Sequence, residues 1–324
     1  MRDDTIPLAN VYRSIAEMPA QHHAAPASSA QARARFFNTG NAFNVQLSPV
    51  PDMAFTVEPA CALDPETPTG LIACDISAAL GCDFPATSPL VLARYARIRA
   101  GESLAADFAA SGVIVYVIQG NGRTDCGSEI LLWGPGDVLV LPGGVVHTHS
   151  ADGADAVLWI VTNEPQLAFE NLRPPAPGAA PTDAVQYTGA EIRRQIDMLY
   201  DIGRNEEIAG SALIFSAERQ EETRNILPTL TVAMNSLPAG MMQRPHRHNS
   251  VAVSLVISGE GCFSVIDGKR KDWSPFATTI TPPVSVHSHH NGGDKQALFL
   301  IIQDGGIYYH ARAMGFEFTD HPGS

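Results

Sequence analysis

The chain has 324 residues, 45% of them hydrophobic and 17% charged, which suits a soluble globular protein with room for two cores of ordinary size. Its 34 acidic and 21 basic side chains give a formal net charge of −13, so partners that demand a basic face, nucleic acid and anionic membrane surfaces, are excluded. No apolar run approaches the roughly 18 residues of a membrane span, and "MRDDTIPLANVYRS" lacks the apolar core of a signal peptide. The five cysteines, Cys61, Cys74, Cys82, Cys126 and Cys262, are scattered and form no CxxC pair, so the expectation is a cytoplasmic protein with free thiols.

Residues 1–85 are rich in Ala, Pro and short polar residues. They read as an irregular arm with one helix near "NVYRSIAEMPA", packing over a domain or a neighbouring subunit. His22 and His23 fall there and read as surface residues. From residue 86 the texture changes to short β-branched and aromatic runs, "VLARYARI", "GVIVYVIQG", "EILLWGPG", "DVLVLPGG" and "AVLWIVTN", cut by Gly and Pro. That spacing predicts an all-β sandwich or barrel over 86–170.

A Pro-rich linker, "NLRPPAPGAAPTD", opens the segment 171–205. Thr188 and Glu191 then form a capping box, Ile192, Ile196 and Leu199 share one helical face, and Gly203 is the expected stop. This short helix separates the first β region from a second, 206–324.

The second region repeats the first. "WGPGDVLVLPGGVVHTH" from Trp133 matches "WSPFATTITPPVSVHSH" from Trp273, and each copy carries an apolar run ending in a G-x-G turn at Gly120 and Gly259. An offset of 139 places Asp107 under His246 and Ala109 under His248, while His147 and His149 lie under His287 and His289 at an offset of 140. The first copy therefore lacks the histidine pair. It keeps two ligands at most, with Asp107 as the one candidate for a third, and reads as a domain that supports folding and subunit contact.

In the second copy "HRH" opens a β-branched run, and alternation along a strand puts His246 and His248 on one face with Arg247 on the other. His287 arrives from a later strand. Three neutral imidazoles with open positions beside them suit a divalent first-row metal, with Fe(II) a natural candidate.

Gly240 followed by five residues and "HRH", the run "PPVSVHSHHN", and the segments "PTLTVAMNSLPAG", "GCFSVIDGKRKDW" and "YYHARAMGFEF" resemble the gentisate 1,2-dioxygenase-like bicupins, a group that includes salicylate and 1-hydroxy-2-naphthoate dioxygenases. The resemblance covers roughly residues 90–320. It implies an all-β chain of two cupin (double-stranded β-helix, jelly-roll) domains with an N-terminal arm and a short inter-domain helix. It also implies Fe(II) held by His246, His248 and His287, and ring cleavage of a hydroxylated aromatic carboxylate by dioxygen, between the hydroxyl- and carboxyl-bearing carbons. Asn235 stands where the group often has a pocket Gln. His289 is expected beside the metal as an acid/base group, and Arg244 at the pocket mouth as a partner for a carboxylate. His290, off parity, is expected outside. A homo-oligomer is expected.

The sequence departs from the pattern in several places. The common cupin Glu, four or five residues after the second histidine, is replaced by Ala252 or Val253, which fits a three-histidine centre. "GSALIFSAE" lacks the Arg that usually binds the substrate carboxylate, leaving Arg219, Arg224 or the arm to supply one. Val286 stands where an aromatic usually precedes the third histidine, and Phe276-Ala277 replaces the Gly-Asp turn kept as Gly136-Asp137. These departures favour a substituted salicylate over plain gentisate. Two other readings remain: a Mn(II)- or Zn(II)-dependent hydrolase or isomerase, which would favour the missing Glu, and a bicupin that binds a ligand without catalysis.

Overall fold

The computed structural model describes residues 11–202 and 211–319. It divides into two compact units, Met1–Ser48 and Pro49–Ser324. In the first unit the helix expected near residues 10–20 is reduced to a single 3-10 turn, Ile15–Glu17, ahead of Pro19, whose ring disfavours helical continuation. A five-residue helix, Ser29–Arg33, follows, its first turn capped by Ser28 Oγ, which accepts from the Gln31 N–H at 3.2 Å. His22 and His23 are exposed.

In the second unit, residues 49–85 are more ordered than an irregular arm. They supply a strand, Met53–Phe55, a helix, Val57–Leu63, a strand, Gly70–Ala73, and one turn of helix, Ser77–Leu80. Strands of three or four residues are too short to display a period in sequence.

The first barrel is one sheet of eight strands. Its spine is a pair of long antiparallel strands, Gly112–Cys126 and His147–Thr162, with register shifts on either side of Gln119. Gly120 sits in these bulges at φ +83°, where a Cβ would meet the Asp155 carbonyl oxygen at 2.6 Å. In the second barrel the same run is broken into Ala252–Ser258 and Cys262–Ile266, and its partner into His287–Asn291 and Ala297–Gln303. Two sheets result. One orders Met53–Phe55, Thr278–Thr281, Ala252–Ser258, Ala297–Gln303, Thr231–Leu237 and Ser211–Phe215, and the other Lys269–Asp272, Cys262–Ile266, His287–Asn291, His246–His248 and Phe316–Phe318.

Alternation gives each strand two apolar jobs. Tyr95, Ile114, Trp159 and Val161 of the first barrel pack with Val232, Met234, Val253, Leu255, Leu300 and Ile302 of the second in one core shared by the two barrels. Each such buried side chain contributes about 1.5–3 kcal/mol. The polar tips within this core are satisfied: the Tyr95 hydroxyl lies 2.7 Å from Thr278 Oγ1, and the Trp159 indole N–H donates to the same oxygen at 2.9 Å.

The opposite faces differ between the barrels. Val113, Val115, Leu158 and Ile160 fill the first interior with apolar volume. In the second, the inward positions carry Ala233, Asn235, Ala252, Ser254 and Gln303, and a cavity of about 230 Å³ opens among them.

The helix Gly189–Ile202 follows the linker as expected, with Ile192 and Ile196 buried and Thr188 Oγ1 accepting from the Glu191 N–H at 3.4 Å. Its expected stop, Gly203, lies outside the described residues. Among the described residues no helix is long and apolar enough to cross a membrane.

Candidate metal centre

His246 and His248 point into the second barrel while Arg247 between them is exposed and paired with Glu317. His287 stands directly opposite His246 on the neighbouring antiparallel strand. All three imidazoles are buried, and one nitrogen from each lies within 4.8 Å of the other two. Ring centroids are 4.3 Å apart for His246 and His287 and 4.8 Å apart for His248 and His287.

The backbone sets their tautomers in one way. His246 Nδ1 lies 2.8 Å from the Arg244 carbonyl oxygen, His248 Nδ1 2.9 Å from that of Ser250, and His287 Nδ1 2.9 Å from that of Ser285. A carbonyl only accepts, so each Nδ1 carries the proton and each Nε2 keeps its lone pair. Burial, the largest cause, lowers the pKa of all three, to about 4 for His248 and about 3 for His287. Three neutral imidazoles with convergent lone pairs are the donor set of a divalent transition-metal centre with positions left open for other ligands.

His289, two residues on, lines the same cavity, yet its role differs. The Trp273 indole N–H donates to Ser264 Oγ at 2.8 Å, and Ser264 Oγ lies 2.8 Å from His289 Nδ1. The oxygen accepts from the indole, and His289 Nδ1 is the one acceptor its hydroxyl has among the described residues, so the hydroxyl proton goes to Nδ1 and the proton of this imidazole sits on Nε2. His289 therefore offers the cavity an N–H donor rather than a ligand lone pair. Burial holds its pKa well below the ordinary value.

The remaining expected residues separate into two groups. Asn235 is buried on the cavity wall. Arg244 does not line the cavity; its guanidinium carbon lies 4.0 Å from the centre of the Phe318 ring. Arg219 does not line it either and is engaged with Asp183 Oδ2 at 2.7 Å, and Arg224 is exposed. Among the described residues the cavity has no charged side chain in its wall, whose apolar part includes Ile214, Ile301, Met314 and Phe316. His290 faces the other side of its strand, stacked on Phe263 at 4.6 Å.

Sequence reasoning missed Gln243 and Gln303. Gln243 is buried at the cavity with its Oε1 lacking a hydrogen-bond partner among the described residues. Gln303 Nε2 lies 3.2 Å from His248 Nε2. Gln303 reaches the site through strand pairing, whereas Gln243 stands three residues before His246 outside any regular strand, its N–H donating to the His289 carbonyl.

The first barrel corrects one alignment. Ala106 pairs with His147 as His246 pairs with His287, so the true counterparts of His246 and His248 are Ala106 and Phe108, both buried. Asp107 is exposed and cannot serve as a third ligand. His147 is also turned: its Nε2 lies 2.9 Å from the Pro142 carbonyl oxygen, leaving Nδ1 without a partner. The relay beneath the second histidine nevertheless survives, from the Trp133 indole to Thr124 Oγ1 at 2.9 Å and on to His149 Nδ1 at 2.8 Å.

Residues 234–303 match the model of the cupin domain, and residues 93–218 that of the AraC-like ligand binding domain. The chain is 37% identical over 81 residues to 5-aminosalicylate 1,2-dioxygenase of Comamonas sp., covering 25% of this chain and 22% of that protein. It is 32% identical over 90 residues to 1-hydroxy-2-naphthoate 1,2-dioxygenase of Nocardioides sp. (strain KP7), covering 28% and 23%. The matches thus span less than a quarter of the length of either relative. Among solved structures, salicylate 1,2-dioxygenase from Pseudaminobacter salicylatoxidans superposes with a TM-score of 0.71 at 14% identity, covering 87% of this chain and 92% of that one. The chain has the two-cupin, jelly-roll fold and resembles the gentisate 1,2-dioxygenase-like group.

Proposed function

We propose that the protein is an Fe(II)-dependent dioxygenase that opens the ring of a hydroxylated aromatic carboxylate, a salicylate derivative foremost, between the carbons bearing the hydroxyl and the carboxylate. The observation that carries this reading is the convergence of three neutral histidines, each presenting Nε2, in a cavity with no fourth protein ligand and no charged wall residue among those described. The names of the relatives, dioxygenases of salicylates, a hydroxynaphthoate and gentisate, support the substrate class.

When bound, Fe(II) supplies the redox chemistry that dioxygen insertion requires. The chain's own residues do the rest. His246, His248 and His287 would hold the ion through their Nε2 atoms. Ile214, Ile301, Met314 and Phe316 take the apolar ring, which loses little by leaving water. Asn235 orients an oxygen of the substrate. The His289 Nε2–H donates to an oxygen of the bound substrate, and its Ser264 tether keeps that proton in place while charge develops on the oxygen. The protein works in the cytoplasm as a homo-oligomer.

The test is oxygen uptake and ultraviolet spectra on protein reconstituted anaerobically with Fe(II), over salicylate, substituted salicylates, gentisate and 1-hydroxy-2-naphthoate. The expected result is uptake with at least one of these and none in a His287→Ala variant. Uptake with none, or an unimpaired variant, overturns the reading.

A further inference from the structure

We propose that Gln303 stands in for the carboxylate that four-ligand cupin centres take from their motif strand, as a neutral amide that orients the exogenous ligand of a bound metal without neutralising the ion. The proposal rests on the metal reading above but not on ring cleavage.

Of the two positions where the motif glutamate could fall, only Ala252 faces the cavity; Val253 lies in the core between the barrels. Ala252 and Gln303 are direct partners across antiparallel strands. Side chains so paired stand on the same face within reach of each other. The missing carboxylate arm at Ala252 leaves space, and Gln303 is the long polar side chain that enters it from the opposite strand. Its Nε2 lies 3.2 Å from His248 Nε2. Because His248 Nδ1 is tied to the Ser250 carbonyl, His248 Nε2 can only accept, so the amide presents its N–H there rather than its oxygen. Gln303 thus lies beside the His248 nitrogen that would face a bound ion. In the first barrel the same register holds Val113 against Thr162, and no third histidine joins His147 and His149.

The chemical consequence is a matter of charge. Three imidazoles and an amide are neutral, so an ion keeps its full double positive charge for an anionic, bidentate ligand. A carboxylate at the same place would cancel half of it and take up one coordination position. With the His248 lone pair engaged by an ion, the amide N–H of Gln303 would be left to donate to an oxygen of that exogenous ligand.

The experiment uses Co(II) as probe, titrated anaerobically into the protein and into Gln303→Glu and Gln303→Ala variants, followed by salicylate titration of the loaded proteins. Visible absorption reads both steps, and thermal unfolding without metal confirms that each variant is folded. Gln303→Glu is expected to bind Co(II) at least about tenfold tighter, with an altered spectrum, and salicylate at least about tenfold weaker. Gln303→Ala is expected to bind Co(II) within about threefold of the parent and salicylate roughly threefold to tenfold weaker. A structural role alone would not tighten metal binding. Unchanged Co(II) affinity and spectrum in Gln303→Glu, or unchanged salicylate affinity in Gln303→Ala, overturns the proposal. Absence of ring cleavage beside the expected titrations counts against the dioxygenase reading alone.

Discussion

Ser264 Oγ lies 2.8 Å from His289 Nδ1 and accepts the Trp273 indole N–H, an arrangement repeated at Thr124 and His149 in a barrel that lacks the histidine pair. The relay belongs to the shared scaffold. Only in the second barrel does the far nitrogen of the histidine meet a cavity; His149 Nε2 is buried with no partner among the described residues. Replacing His289 by Phe should lower kcat by roughly 100-fold or more while iron content is unchanged. Ser264→Ala should cost about tenfold, because the tautomer is no longer imposed. Thr124→Ala should leave kcat unaltered and lower only the unfolding temperature. Steady-state kinetics beside metal analysis separates these outcomes.

Metal retention should track the three convergent histidines alone. After reconstitution and desalting, His246→Ala, His248→Ala and His287→Ala should hold little iron, whereas His147→Ala should hold as much as the parent, since Ala106 and Phe108 fill the ligand positions of the first barrel. Elemental analysis provides the check.

Val284 adopts φ +59°, a left-handed conformation that a β-branched residue rarely takes, at the place where the first copy has Gly144 at φ +78°. Its N–H donates to the His248 carbonyl at 2.7 Å, so the strained turn is anchored to the ligand strand. The side chain is 61% exposed and contributes little by packing. Val284→Gly should therefore stabilise the fold by about 1 kcal/mol, the released strain exceeding the entropy lost with glycine. Thermal unfolding of the metal-free protein measures it.

Asp304 gives the stability a pH dependence. Burial raises its carboxyl to about 7, with the Val251 N–H, donating to Oδ1 at 2.9 Å, opposing the shift. The folded-state pKa is above the unfolded value, so the folded chain binds the extra proton and the contribution is fully present below about pH 4. It is lost as pH rises through 7. Asp304→Asn keeps an acceptor for Val251 and has no charge to bury. The variant's stability relative to the parent should rise by roughly 3 kcal/mol between pH 5 and pH 8.5. Denaturant unfolding at the two pH values decides.

Most of the barrel architecture and the three histidines were legible in the sequence because they are carried by local period: the Gly/Pro-punctuated apolar runs, the H-x-H parity and the duplicated Trp-to-His segment. The register of the first copy was not. The segment from Ala106 to Val113 is one residue longer than that from His246 to Ala252, so aligning the apolar runs slides the short strand by one place. A slip of one exchanges the faces of a strand, which is why Asp107 looked inward when it is exposed. Gln303 was invisible for another reason. Its place in the site depends on which strands pair, and no spacing within one segment encodes that. Gln243 lies three residues before His246 but outside any regular strand, so no alternation gives its direction. The strands at residues 53–55 and 70–73 escaped because they are too short to alternate visibly.

Isotope labelling decides whether the chain opens an aromatic ring with dioxygen. The protein is loaded anaerobically with Fe(II) and supplied with labelled dioxygen and the best-turned-over salicylate, and the product is weighed by mass spectrometry. The account predicts a ring-opened product carrying both labelled atoms, with one dioxygen consumed per aromatic carboxylate. An unlabelled product, or turnover that proceeds without oxygen, would contradict it.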